Sequence, residues 1–69
     1  KSAGYLIEQA GMKRARCNGA MVSDLHANFI VNHGNARARD ILNLAAQVKK
    51  RVYEKFGINL KEEVNTIGD

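Results

Sequence analysis

In the first ten residues, Ala3, Leu6, Ile7 and Ala10 recur at the three-and-four spacing of one helix face. Ser2 stands just before them, and its hydroxyl can accept from a free backbone N–H of the first turn. Gly11 suits a left-handed C-terminal cap. A short helix is predicted over residues 3–10. The period then drops to two. Two short strands are predicted, Ala20–Val22 and Ala27–Asn32, joined by the polar, turn-like "SDLH". In the second strand Phe29 and Val31 face one way, and Asn28, Ile30 and Asn32 the other. That alternation predicts a face exposing amides, whose paired donor and acceptor suit the edge of a base. Asn18-Gly19 and Gly34-Asn35 mark turns.

The longest element is "ARARDILNLAAQVKKRVYEKF". Ile41, Leu44, Ala45, Val48, Val52 and Phe56 fall on one stripe. Asp40, Asn43, Gln47, Lys50, Arg51 and Glu54 fall mostly on the opposite one. Asn35 is the expected N-terminal cap. Lys55 suits the negative end of the helix dipole, and Gly57 is placed to end the helix. A last strand follows, Asn59 to Ile67. Along it Leu60, Val64 and Thr66 share a face with Glu62; Lys61, Asn65 and Ile67 share the other with Glu63. The two adjacent carboxylates therefore point in opposite directions. Glutamates on a strand are usually solvated surface charge.

The predicted fold is α+β: a small two-layer domain in the order helix-strand-strand-helix-strand, with three short strands and two helices packed on the sheet. The 69 residues fit one domain, residues 1–69, with no repeat or internal linker. An apolar fraction of 45% gives a thin core. Cys17 is the only cysteine, so no internal disulfide braces the fold, and a reducing, cytoplasmic setting is expected. No membrane-spanning run or signal-peptide pattern is present. A start at Lys1 is expected for the interior of a longer polypeptide, although processing gives the same start.

The net charge of +4 favours anionic partners without choosing among them. "KKRVYEK" and "KRAR" are basic, but Tyr53 and Phe56 sit with or beside the core stripe, so a solvated helix face explains the charge better than a nucleic-acid surface. "KRAR" is turn-rich and suited to holding a phosphate. His26 and His33 lack metal-ligand spacing, so no metal is expected. Cys17 lacks a nucleophile's partners and reads as a half-buried, small apolar side chain.

"SAGYLIEQAG", "HANFIVN" and "VYEKFGINLKEEVNTIG" resemble, in order and spacing, the C-terminal domain of UDP-N-acetylenolpyruvoylglucosamine reductase, across nearly the whole chain. The resemblance implies a bacterial flavoenzyme in which NADPH reduces FAD, and the flavin reduces the enolpyruvyl double bond of a UDP-sugar. FAD would sit mainly in the preceding domains. The C-terminal domain would close over the substrate, supply one glutamate, bind no FAD by itself and be inactive alone. The family pattern of leucine, two residues, glutamate, valine, two residues, isoleucine, glycine falls on Leu60, Glu63, Val64, Ile67 and Gly68. It assigns the catalytic role to Glu63. Likewise it implies His26 and Asn28 beside the uracil and ribose, and Lys13 near the nucleotide. Arg14 and Asn18 stand where the family usually has glycines, which puts the backbone path there in question. Glu62 replaces a common proline and Asn65 a common basic residue. The expected partners are the UDP-sugar and the N-terminal FAD-binding domains, with no nucleic acid or membrane. Self-association is expected of the isolated domain. The alternatives are a basic nucleic-acid-binding module and a non-catalytic interaction domain.

Overall fold

The computed structural model describes residues 2–60 and 65–67. The elements are α1 (Ala3–Gln9), β1 (Arg16–Cys17), β2 (Ala20–Val22), β3 (Phe29–Asn32), α2 (Ala38–Phe56) and β4 (Asn65–Ile67). The α+β class and the order of the predicted elements hold. One element was not predicted: β1, two residues long, adds a fourth strand at the sheet edge. The strand expected from Asn59 is seen at Asn65–Ile67; residues 58–60 precede it outside any strand, and 61–64 lie outside the described residues.

The helix ends follow the chemistry of their caps. Ser2 Oγ accepts from the Tyr5 backbone N–H at 3.2 Å. Gly11, just past α1, has φ +80, and Gly57, the C-cap of α2, has φ +68. Both are left-handed positions that glycine occupies without steric cost. The start of α2 departs from expectation. Its N-cap is Arg37, not Asn35, and Asp40 in the first turn accepts from the Arg37 backbone N–H at 2.9 Å. A carboxylate at this third helical position reaches back to the cap, as in a capping box.

The sheet order is β1-β2-β3-β4. The first three strands are antiparallel neighbours; β4 lies parallel to β3, with α2 as the crossover between them. The register pairs Val22 with Ile30 and Ala20 with Asn32 on one face, and Met21 with Val31 on the other. Ala20, Val22 and Ile30 are wholly buried against a single cluster with Leu6, Ile7, Leu44, Val48 and Val52. Each Val, Leu or Ile among them contributes about 1.5–3 kcal/mol through burial. Cys17 is half-buried at the edge of this cluster, as expected.

Three face assignments change. Asp40 was placed on the polar stripe of α2, yet it is buried. Tyr53 was placed with or beside the core stripe and Phe56 on it, but they are 54% and 36% exposed. The Asn28, Ile30 and Asn32 face is the one turned to the helices, so it does not form an exposed amide wall. Asn32 accepts from the Ala36 N–H at 2.9 Å and donates to the Ala36 carbonyl at 3.3 Å, closing the loop into α2. Alternation showed that the three side chains share a face. The packing of the helices decided which face that is.

Candidate functional site

Lys13, His26 and Asn28 belong to segments that meet at one end of the sheet. Lys13 lies in the turn after α1. The next residue's N–H, that of Arg14, donates to the Val22 carbonyl at 3.1 Å, and Val22 N–H donates to Ala15 at 2.8 Å. Across β2, Ser23 N–H donates to the Phe29 carbonyl at 2.9 Å. Phe29 in turn pairs with Asn65, the first residue of β4. Lys13, the 23–28 connection and the start of β4 are thus side by side at the end where β2 finishes and β3 begins.

The 23–28 connection is built around Ser23. Its Oγ accepts from the backbone N–H of Leu25 at 3.1 Å and of His26 at 3.2 Å. This local turn leaves Asp24, Leu25 and His26 in solvent, Leu25 at 84% exposure. The His26 ring leans on Phe29, with centroids 5.8 Å apart and planes at 50°. Asn28 turns the other way and is half-buried; a methyl group at Gly4 would stand 3.3 Å from its Oδ1. Gly4 therefore lets the first turn of α1 pass close to Asn28. Lys13 Nζ pairs with Glu8 across 3.7 Å at the surface, an exposed contact worth about 0–1 kcal/mol and easily exchanged for a ligand. Glu63 and Glu62 lie outside the described residues.

A shallow cleft of about 510 Å³ lies elsewhere, lined by Met12, Ala15, Gln47, Lys50, Arg51 and Glu54. It mixes both charge signs and has no buried polar group. The chemistry-bearing residues are outside it.

The two positions in question for their lack of glycine are resolved by the backbone. Arg14 has φ +67 and Asn18 φ +54, so each adopts the left-handed conformation that glycine would favour. Asn18 is further held by its amide, which donates to Asp40 Oδ1 at 2.8 Å. Asp40 was not singled out from the sequence. Its carboxyl is held below its ordinary value, first by the Arg37 N–H and then by the Asn18 amide. The Arg39 and Arg37 charges help, while burial opposes. An aspartate at the third position of a helix was the available signal.

Together these features define a small two-layer α+β domain that presents a polar, hydrogen-bonded loop cluster at one end of its sheet. The chain belongs to the family described as UDP-N-acetylenolpyruvoylglucosamine reductase, C-terminal domain, whose family model matches residues 1–67. It is similar to the UDP-N-acetylenolpyruvoylglucosamine reductase of Heliobacterium modesticaldum, at 56% identity over 68 residues, 99% of this chain and 22% of that protein. The enzyme of the same name from Anoxybacillus flavithermus is 52% identical over 66 residues, 96% of this chain and 22% of the relative. That of Nostoc punctiforme is 50% identical over 68 residues, 99% of this chain and 20% of the relative. The chain thus spans about a fifth of the length of the curated relatives it matches.

Proposed function

We propose that this chain is the substrate-binding domain of a cytoplasmic, FAD-dependent reductase that uses NADPH to convert UDP-N-acetylglucosamine enolpyruvate to UDP-N-acetylmuramate, a peptidoglycan precursor. The family match over residues 1–67 carries this reading. The described residues do not suit a flavin. Gly34 is the one glycine between β3 and α2, where a dinucleotide cradle needs several, and Gly19 packs directly against its backbone. On this proposal the redox chemistry belongs to the polypeptide outside this chain, and the domain alone is expected to be inactive.

Its own residues bind the substrate and hold a proton. Glu63 presents a carboxyl to the enolpyruvyl carbon that is protonated, acting as acid or stabilising the enolate-like intermediate. His26 and Asn28 contact the uracil and ribose, and Lys13 exchanges Glu8 for the diphosphate. Supporting this is the meeting of the Lys13, His26 and Asn28 segments where β4 begins, two residues after Glu63.

In the full-length enzyme, Glu63→Gln is expected to lower kcat by about two to four orders of magnitude. Flavin reduction by NADPH should survive. Glu62→Gln should change kcat by less than about tenfold, since the family pattern places its glutamate at Glu63 and not at Glu62. Stopped-flow measurement of both half-reactions reads each outcome. A crippled Glu62→Gln with a mild Glu63→Gln would overturn the assignment.

A further inference from the structure

Helix α2 carries one apolar stripe that the chain covers and another that it leaves open. Leu44, Val48 and Val52 enter the core cluster, with Ile41 and Ala45 packed against it. Leu42, Ala46, Lys49, Tyr53 and Phe56 follow one another at steps of four, three, four and three residues. Positions at that alternation form a single seam along a helix. Leu42, Ala46, Tyr53 and Phe56 belong neither to the core cluster nor to the residues packed against it. Leu42 is 68% exposed, Tyr53 54% and Phe56 36%. At 1.5 Å of rise per residue the seam is about 21 Å long. Its charge has one sign. Lys49 lies within it, half-buried, as a lysine stem laid along apolar neighbours would be. Arg39 and Lys50 are exposed on its flank, each three residues before a seam position. Neither Lys49 nor Lys50 has an ion pair among the described residues. The acids of α2 stand elsewhere. Asp40 is buried against Asn18, and Glu54 lines the cleft with Met12 and Ala15.

We infer that this seam docks an acidic amphipathic helix of a separate polypeptide. The spacing selects a helix. Side chains at such steps enter the holes of a facing helix, and Ala46 near the centre lets the two axes come close. The charge selects the kind of helix. A second copy of this chain would set a basic seam against a basic seam, with no acid on either. A helix with apolar residues at the same steps and Asp or Glu beside them answers Leu42, Tyr53 and Phe56 together with Arg39, Lys49 and Lys50. Nucleic acid would meet the cations through its phosphates and leave the exposed apolar side chains without a counterpart. An anionic lipid surface would take both, but nothing in it calls for the alternating steps of four and three.

The test uses the full-length protein and a synthetic, fluorescein-labelled helical peptide of about four turns, long enough to match the seam. The peptide carries Leu at the seam steps and Glu on both flanks. Fluorescence anisotropy is expected to give saturable binding with a Kd of about 1–100 µM. The same peptide with Lys in place of Glu should not bind. Lys49→Glu should weaken binding of the acidic peptide by about tenfold, and so should Leu42→Ser combined with Tyr53→Ser. Arg51→Glu makes the same change in net charge on the opposite side of α2, and should alter the Kd by less than about threefold. All of these positions lie outside the core cluster, and thermal melts at the wild-type midpoint establish that each variant is folded. Equal binding of the two peptides, no saturable binding, or equal losses from Lys49→Glu and Arg51→Glu would overturn the inference. So would tighter association, through these same residues, with phosphatidylglycerol vesicles, duplex DNA or a second copy, since each gives the seam another occupant. Binding is read without turnover, so the outcome does not depend on the reaction proposed above.

Discussion

At one end of the sheet the Asn18-Gly19 turn, residues 33–36 and the start of α2 use their polar groups on one another. Asn18 and the Arg37 N–H share the Asp40 carboxylate. Asn32 takes both backbone groups of Ala36, and His33 N–H donates to the Gly19 carbonyl at 2.7 Å. At the other end Ser23 ties its own loop and little else, while Asp24, Leu25 and His26 stand in solvent. The contrast separates two tasks. One end holds the β1–β2 hairpin, the loop after β3 and the crossover helix in register. The other carries side chains that are left free for something outside the chain.

The comparison breaks most sharply at Gly19. A Cβ there would collide with the Gly34 carbonyl oxygen and stand 2.6 Å from its carbon and 2.7 Å from the Ala36 nitrogen. All three are backbone atoms and cannot swing aside. Gly19→Ala is expected to cost about 3 kcal/mol or more, read as a lower urea midpoint. Unfolding at the wild-type midpoint would show that the two loops are not locked.

A smaller loss is expected for Asp40→Ala, which strips two donors of their shared acceptor. The acid dependence has a definite sign. The folded carboxyl titrates below its ordinary value of 3.8, so the unfolded chain binds the proton more tightly. Asp40 then stabilises the fold above that ordinary value, and the contribution fades as pH falls through the folded one. Urea midpoints measured from pH 6 downward should fall less steeply in Asp40→Asn than in wild type. Parallel curves would remove Asp40 from the lock.

Smaller still is a contrast between two left-handed residues. Arg14 pays for its positive φ with no side-chain hydrogen bond found among the described residues, so Arg14→Gly should raise stability by roughly 0.5 kcal/mol. Asn18→Gly should lower it, because the bond to Asp40 goes with the amide. Equal effects in thermal melts would mean that the amide adds nothing. Smallest is Leu25→Ser at the open end, expected within about 0.5 kcal/mol of wild type by the same measurement.

Much of this molecule was legible from residue spacing and local chemistry. The period of α1 and α2, the Ser2 cap, the Gly11 and Gly57 ends, β2 and the alternation of β3 depend on neighbours a few residues apart, and these predictions held. The motifs also carried the family, because three segments in register are far more specific than any one. β1 was not legible: two residues carry no period, and it exists only because β2 lies beside it. Glu63, the residue assigned to chemistry, was found through the motif and lies outside the described residues.

What the sequence by itself determined is every described element but β1, their order and the pairs of side chains that share a face. Those properties follow from the geometry of one helix or one strand. Which face is inside was decided only by tertiary structure. Asn28 and Asn32 share Ile30's face, and once Ile30 is buried against Leu44 and Val48 they must go inward with it. Asp40 is buried for a similar reason: its partner Asn18 lies 22 residues away and reaches it only when the hairpin folds over the start of α2. Periodicity along a chain does not record contacts across such distances, because they depend on how separate elements pack.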